Sequence, residues 1–146
     1  MTFLLDTNIL VYSVDANEPD KHAQATALLQ HLGETNQAVL SAQTLAEFAN
    51  VAMRRLQPPL PPDQTYRQVE RYEQAFLVIL LTPAIVLEAV RGVRDYQLAY
   101  YDAQIWAAAR LNQVPYVLSE DFNPGATLAG VTFLNPFADD FDLNSL

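Results

Sequence analysis

The sequence predicts an α/β protein, a three-layer sandwich in which a small, mostly parallel sheet is flanked by helices. Two observations carry this. Short apolar runs without polar alternation, such as Phe3-Leu4-Leu5, Phe76 to Leu81 and Tyr116-Val117-Leu118, read as strands covered on both faces. These runs alternate with segments of helical periodicity from end to end, the order that builds a parallel sheet under crossover helices. The length of 146 residues suits one domain, and hydrophobic residues at 51% provide a substantial core.

The elements follow in order. Residues 2–5 form a buried strand ending at Asp6. Residues 7–14 continue as strand or turn into a helix capped by Asp6 or Thr7, and residues 15–19 make a turn. Pro19 opens a helix with Ala23, Ala27, Leu28 and Leu32 at helical spacing, which Gly33 is expected to end. Val39-Leu40 is a short strand. Thr44 to Leu56 is a helix with Leu45, Phe48, Ala49 and Ala52 on one face. The proline-rich stretch 58–62 is a stiff spacer before a polar helix over 63–75. Residues 76–81 read as a second fully buried strand. Helices follow from Pro83 to about Tyr96 and over 99–112, then strands at 116–118 and 131–134, the last stopped by Asn135-Pro136. Residues 1–137 are expected to form the domain, and 138–146, with Asp139, Asp140 and Asp142, an acidic mobile tail.

Composition narrows function. The formal net charge is −9, so a polyanion could be bound only through local positive charge or metal ions. There is no cysteine, which excludes thiolate metal sites, disulfides and cysteine nucleophiles. His22 and His31 are too few for a histidine-rich site. The apolar N-terminus has no basic leader, and the apolar stretch 75–87 is short of a membrane span and broken by Pro83. A soluble, cytoplasmic protein with no membrane partner is expected.

In parallel sheets, sites form outside the carboxyl ends of the strands, where strand order reverses. Asp6 follows the first strand and Asp121 the strand at 116–118. Asp6 could equally serve as a helix cap, and Asp121 as a turn carboxylate beside Asn123-Pro124-Gly125. Asp102 opens an alanine-rich helix whose Ala99, Ala103 and Ala107 allow close approach of a neighbour. Glu47 lies about 200° around its helix from Leu45, on a face it shares with Arg54, and by local pattern is solvated. Asp15, Glu18 and Glu120 read as solvated loop charges. Tyr100, Tyr101 and Trp106 suit either packing or base stacking. Arg54, Arg55, Arg67, Arg71, Arg91 and Arg94 suit either a solvated face or phosphate contacts.

Taken together, these residues resemble a family. Leu4-Leu5-Asp6-Thr7-Asn8-Ile9-Leu10-Val11-Tyr12 resembles the opening motif of PIN-domain nucleases. Glu47 in Thr44-Leu45-Ala46-Glu47-Phe48 falls where that family has its second acid. Tyr101-Asp102-Ala103 and Leu118-Ser119-Glu120-Asp121 resemble the third and fourth acidic motifs, and Asn135-Pro136-Phe137 is similar to the end of bacterial toxin members of the VapC type. The resemblance covers residues 2 to about 137. It implies that Asp6, Glu47, Asp102 and Asp121 are catalytic, and that Asp6, Asp102 and Asp121 ligate Mg²⁺ or Mn²⁺. It further implies that Thr7, Asn8 and Ser119 fix carboxylates or a substrate phosphate. The implied activity is hydrolysis of RNA phosphodiesters, by a toxin that forms a homodimer and is inhibited by a separate antitoxin. Carboxylates held together repel and raise one another's pKa, a penalty that a divalent cation reverses.

The same residues bear on other readings. A receiver domain or haloacid-dehalogenase-type phosphatase also places acids at strand ends. Asp6-Thr7-Asn8 lacks the second aspartate, however, and Lys21, the only lysine, lies in a predicted helix start. A PIN fold could also serve as a housekeeping RNA-processing nuclease or a non-catalytic binding module.

Overall fold

The computed structural model describes residues 1–146. Six strands form one sheet in the order β3-β2-β1-β4-β6-β5, with β1 Phe3–Leu5, β2 Ala38–Ser41, β3 Leu77–Ile79, β4 Tyr116–Leu118, β5 Thr127–Leu128 and β6 Val131–Leu134. All pairings are parallel except β5 with β6. The helices are α1 Thr7–Tyr12, α2 Pro19–Thr35, α3 Ala42–Arg54, α4 Pro62–Ala75, α5 Pro83–Tyr96 and α6 Tyr100–Leu111.

The layers follow from the two-residue period of a strand. Leu4, Val39, Val117 and Phe133 turn to one face and pack with α5 and α6 around Trp106. Phe3, Leu5, Leu40 and Leu118 turn to the other and pack with α1 to α4 around Phe48. Phe137, Phe141, Leu143 and Leu146 lie against this second cluster, so the C-terminal residues expected to be mobile are packed. Residues 7–12, which the sequence left between strand and helix, are helical.

Several boundaries differ from expectation. Helix α2 runs through Gly33 and ends at Asn36, whose φ of 58° makes the left-handed cap instead. Helix α3 starts two residues early, because Ser41 accepts a hydrogen bond from the Thr44 N–H and caps it, and it ends at Arg54. The run 76–81 is not a fully buried strand. Only Leu77–Ile79 pair, at the sheet edge, and Leu77 and Leu80 are 71% and 70% exposed. An apolar run signals burial, but an edge strand has a neighbour on one side only. The sequence reading also missed β5, which pairs with β6 through a tight turn at Ala129 and Gly130, both at positive φ.

Helix α6 must be held accurately, because it carries Asp102. Its packing against α5 is close: a Cβ at Gly92 would stand 2.8 Å from Trp106 Cζ3. Trp106 cannot yield, being fully buried and donating from Nε1 to the Leu128 carbonyl at 3.0 Å. Gly92→Ala should therefore lower stability by about 1–3 kcal/mol in urea unfolding, overriding the helix-propensity gain of about 1 kcal/mol. An alanine variant as stable as the wild type would show that this contact is not tight.

Candidate functional site

Strand order reverses between β1 and β4, and the crevice at their carboxyl ends is where the acids gather. Asp6 directly follows β1, and its N–H donates to the Leu118 carbonyl at the end of β4, 3.0 Å away. Ser119 and Asp121 follow β4. Glu47 arrives on α3, whose start is tied to β1 by Thr44 Oγ1 donating to the Leu5 carbonyl at 3.1 Å. Asp102 sits in the first turn of α6. This helix leads back to the start of β4, so its N-terminus stands at the carboxyl edge. Helices α1, α3 and α6 all begin at this edge and offer partial positive charge to the acids.

The side chains are connected. Asp6 is 5% exposed. Its Oδ1 accepts from the Thr7 N–H at 2.7 Å and its Oδ2 from Ser119 Oγ at 2.7 Å. Asp6 thus also caps α1, so the cap and the site are one residue. Ser119 Oγ in turn accepts from the Asp121 N–H at 3.0 Å and from Asn8 Nδ2 at 3.1 Å. Asn8 Nδ2 also donates to Asp121 Oδ2 at 3.1 Å. Thr7 Oγ1 donates to Glu47 Oε2 at 2.8 Å. Thr7 thus holds Asp6 and Glu47, Ser119 holds Asp6 and the Asp121 backbone, and Asn8 holds the Asp121 carboxylate.

Electrostatics bring in the fourth acid. Burial pushes the Asp6 carboxyl up from 3.8 to about 6, partly opposed by the Ser119 and Thr7 hydrogen bonds, with Asp121 and Glu47 adding repulsion. Asp102 is also raised, first by burial and then by Asp121 and Glu47. The four carboxylates thus form one charge cluster, but the cause ranks differently from the sequence expectation. Desolvation leads, and like-charge repulsion follows. The carboxylates are also not drawn tight: no three acidic or histidine side chains close around a single point at ligating distance. Asp121 is exposed but turned toward Asn8.

Other singled-out residues separate clearly. Glu47 is half-buried, against its solvated pattern, because Thr7 and Gln43 both donate to it. Glu120 is not a free loop charge. It accepts from Lys21 Nζ at 2.9 Å and from the Tyr12 hydroxyl at 2.5 Å. Asp15 accepts from the Asn17 N–H at a turn, and Glu18 is exposed. Trp106 belongs to the core, while Tyr101 is exposed. Arg91 and Arg94 are ion-paired with Glu88 and Asp95. Arg54, Arg55, Arg67 and Arg71 are exposed and have no acidic partner. Two buried or half-buried amides, Gln43 beside Glu47 and Gln104 behind it, were not read from the sequence; the only available signal was a glutamine set among the alanines of α6.

A mostly parallel sheet with an acidic cluster at its switch point places this chain among the open α/β folds whose sites lie at the strand ends. The comparisons specify the class further. The PIN domain family model matches residues 3–124, and the chain belongs to that family. Solved structures share the fold. A toxin–antitoxin complex from Klebsiella pneumoniae aligns at 22% identity over 93% of this chain and 98% of that one, with a TM-score of 0.61. FitAcB from Neisseria gonorrhoeae aligns at 24% identity over 93% and 99%, with a TM-score of 0.57. VapC20 from Mycobacterium tuberculosis, a Sarcin-Ricin loop cleaving toxin, aligns at 14% identity over 88% and 98%, with a TM-score of 0.65. No protein of curated function matches. No helix is long and apolar enough to cross a membrane.

The raised Asp6 has a consequence for stability. Between about pH 4 and 6 the folded chain holds a proton on Asp6 that the unfolded chain has released. Stability should therefore fall as pH rises through that window, by about 3 kcal/mol at about 1.4 kcal/mol per pKa unit. Urea unfolding across pH 3.5–7, about the window set by that shift, should show this slope in the wild type and a smaller one in Asp6→Asn, where the raised Asp102 remains. Equal slopes in both would mean that Asp6 is not the group responsible.

Proposed function

We propose that this protein is a divalent-metal-dependent endoribonuclease that hydrolyses RNA phosphodiester bonds, acting as the toxin of a toxin–antitoxin pair. The observation that carries this is the convergence of Asp6, Glu47, Asp102 and Asp121 from four chain segments onto one strand edge, with Asp6 buried among them. Membership of the PIN domain family and likeness to toxin–antitoxin structures support it.

The residues present suit Mg²⁺ or Mn²⁺. They are hard oxygen donors, without cysteine or histidine, and the repulsion within the cluster favours a cation. No three carboxylates close on one point, so Asp6, Asp102 and Asp121 would hold such an ion in part through water. Asn8 Oδ1 is buried without a donor and can accept from such a water. A bound divalent ion supplies charge neutralisation at the phosphoryl group and a more acidic water. Glu47, held at both oxygens, orients the attacking water and accepts its proton. Ser119 and Thr7 keep Asp6 aimed. Arg54, Arg55, Arg67 and Arg71, free of acidic partners, are the cations available to the RNA backbone.

The partners we propose are RNA, a cognate antitoxin and a second copy of the chain, with no membrane. An arginine of the antitoxin would fit the acidic crevice by bidentate pairing. The exposed Leu77, Leu80 and Leu111, which line one open groove along the edge strand, suit a dimer contact. The cytoplasm is the proposed location.

Purified protein should cut single-stranded RNA with Mg²⁺ or Mn²⁺ and stop on chelation. The same ions should raise its melting temperature. Asp6→Asn and Asp102→Asn should lose at least about 100-fold in rate while folding normally. Wild-type cleavage by Asp6→Asn would contradict the assignment.

A further inference from the structure

Glu47 is held by a chain of hydrogen bonds that begins on another helix, α6. The Tyr100 hydroxyl donates to Gln104 Oε1 at 2.8 Å. Gln104 Nε2 donates to Gln43 Oε1 at 2.8 Å. Gln43 Nε2 donates to Glu47 Oε1 at 2.8 Å and to the Tyr101 carbonyl at 3.0 Å.

The partners' chemistry fixes the direction of every link. A carboxylate and a backbone carbonyl have no proton to give, so the Gln43 nitrogen must face them. Its oxygen then faces Gln104, which must donate, so the Gln104 oxygen faces Tyr100, which must donate as well. Flipping either amide would set oxygen against oxygen. Gln104 is 5% exposed, so water cannot readily replace a lost bond. A one-way chain of this kind strengthens along its length, and it ends on the carboxylate. With Thr7 Oγ1 on the other oxygen, both oxygens of Glu47 are fixed.

The chain also joins two acid-bearing helices. Gln43 lies one turn before Glu47 on α3, and it grips the carbonyl of Tyr101, the residue before Asp102 on α6. One amide thus spans the gap between the elements that supply Glu47 and Asp102.

We infer that Gln43 and Gln104 are positioning residues for the nuclease site, with Tyr100 as the far anchor: the relay aims Glu47 and sets its spacing from Asp102. This rests on the reading of the acidic crevice as a ribonuclease site. The relay acts on the chemical step rather than on RNA affinity, because neither glutamine is among the groups proposed to meet the phosphate.

The test uses the full chain. Gln104→Met keeps length and apolar packing but removes both bonds. It should lower kcat for RNA cleavage by about 10–100-fold with KM within about twofold, the range for residues that orient a functional carboxylate. Tyr100→Phe should cause a smaller loss in kcat of the same kind. A second readout needs neither RNA nor metal. In ¹H–¹⁵N spectra, Tyr100→Phe, which removes only the hydroxyl, should shift the side-chain amide resonances of Gln43, to which that hydroxyl is linked through Gln104. A folded Gln104→Met protein with wild-type kcat, or Gln43 resonances unmoved by Tyr100→Phe, would overturn the relay. A wild type that cuts no RNA while the amide shifts are present would overturn the nuclease reading alone, since the shifts report the relay without cleavage.

Discussion

A carboxylate buried at the carboxyl end of the central strand is the constraint on which the rest of this structure depends. Removing an ionised group from water without compensation costs several kcal/mol. Asp6 receives two hydrogen bonds, one from the Thr7 N–H and one from the Ser119 hydroxyl, and stands at the N-terminus of α1. These do not cancel the cost, and the remainder is visible as a carboxyl raised to about 6. The chain thus keeps at its centre a carboxyl whose ionised form is disfavoured by burial, and that gains from any cation placed beside it.

The topology explains how the other acids reach Asp6. Placing β1 between β2 and β4 leaves the chain leaving β1 and the chain leaving β4 side by side, so Asp6 and Asp121 are neighbours despite their separation in sequence. Helix α3 is tied to the end of β1 through Thr44, which carries Glu47 inward. Helix α6, locked against α5 by the Gly92–Trp106 contact, brings Asp102 to the same edge. The acids remain slightly apart, spaced by Thr7, Asn8 and Ser119 rather than collapsed on one point.

Much of this was legible in the sequence, for physical reasons. Short apolar runs between periodic segments read as covered strands, so the layered parallel sheet and the strand-end positions of Asp6 and Asp121 were readable locally. Glu47 was not: its helical position looks solvated, and its burial depends on Thr7, forty residues away. The family resemblance supplied it, while the residue pattern alone passed it over. The exposed edge of β3 was hidden because an apolar run reads as buried whatever lies beside it. Gln43 and Gln104 were invisible because a polar residue in a helix reads as surface until its partners are known. The Lys21–Glu120–Tyr12 contact escaped for the same reason.

The central claim is that the buried Asp6 belongs to a cation site, and its own titration tests this most directly. Following the Asp6 side-chain carboxyl carbon by NMR across pH should give a midpoint near 6 in the absence of divalent ions. Adding Mg²⁺ should move the midpoint down toward the ordinary aspartate range, because a cation beside the carboxylate favours its ionised form. A midpoint near 6 that does not respond to Mg²⁺ would show a buried cap with no metal beside it, and would contradict the account.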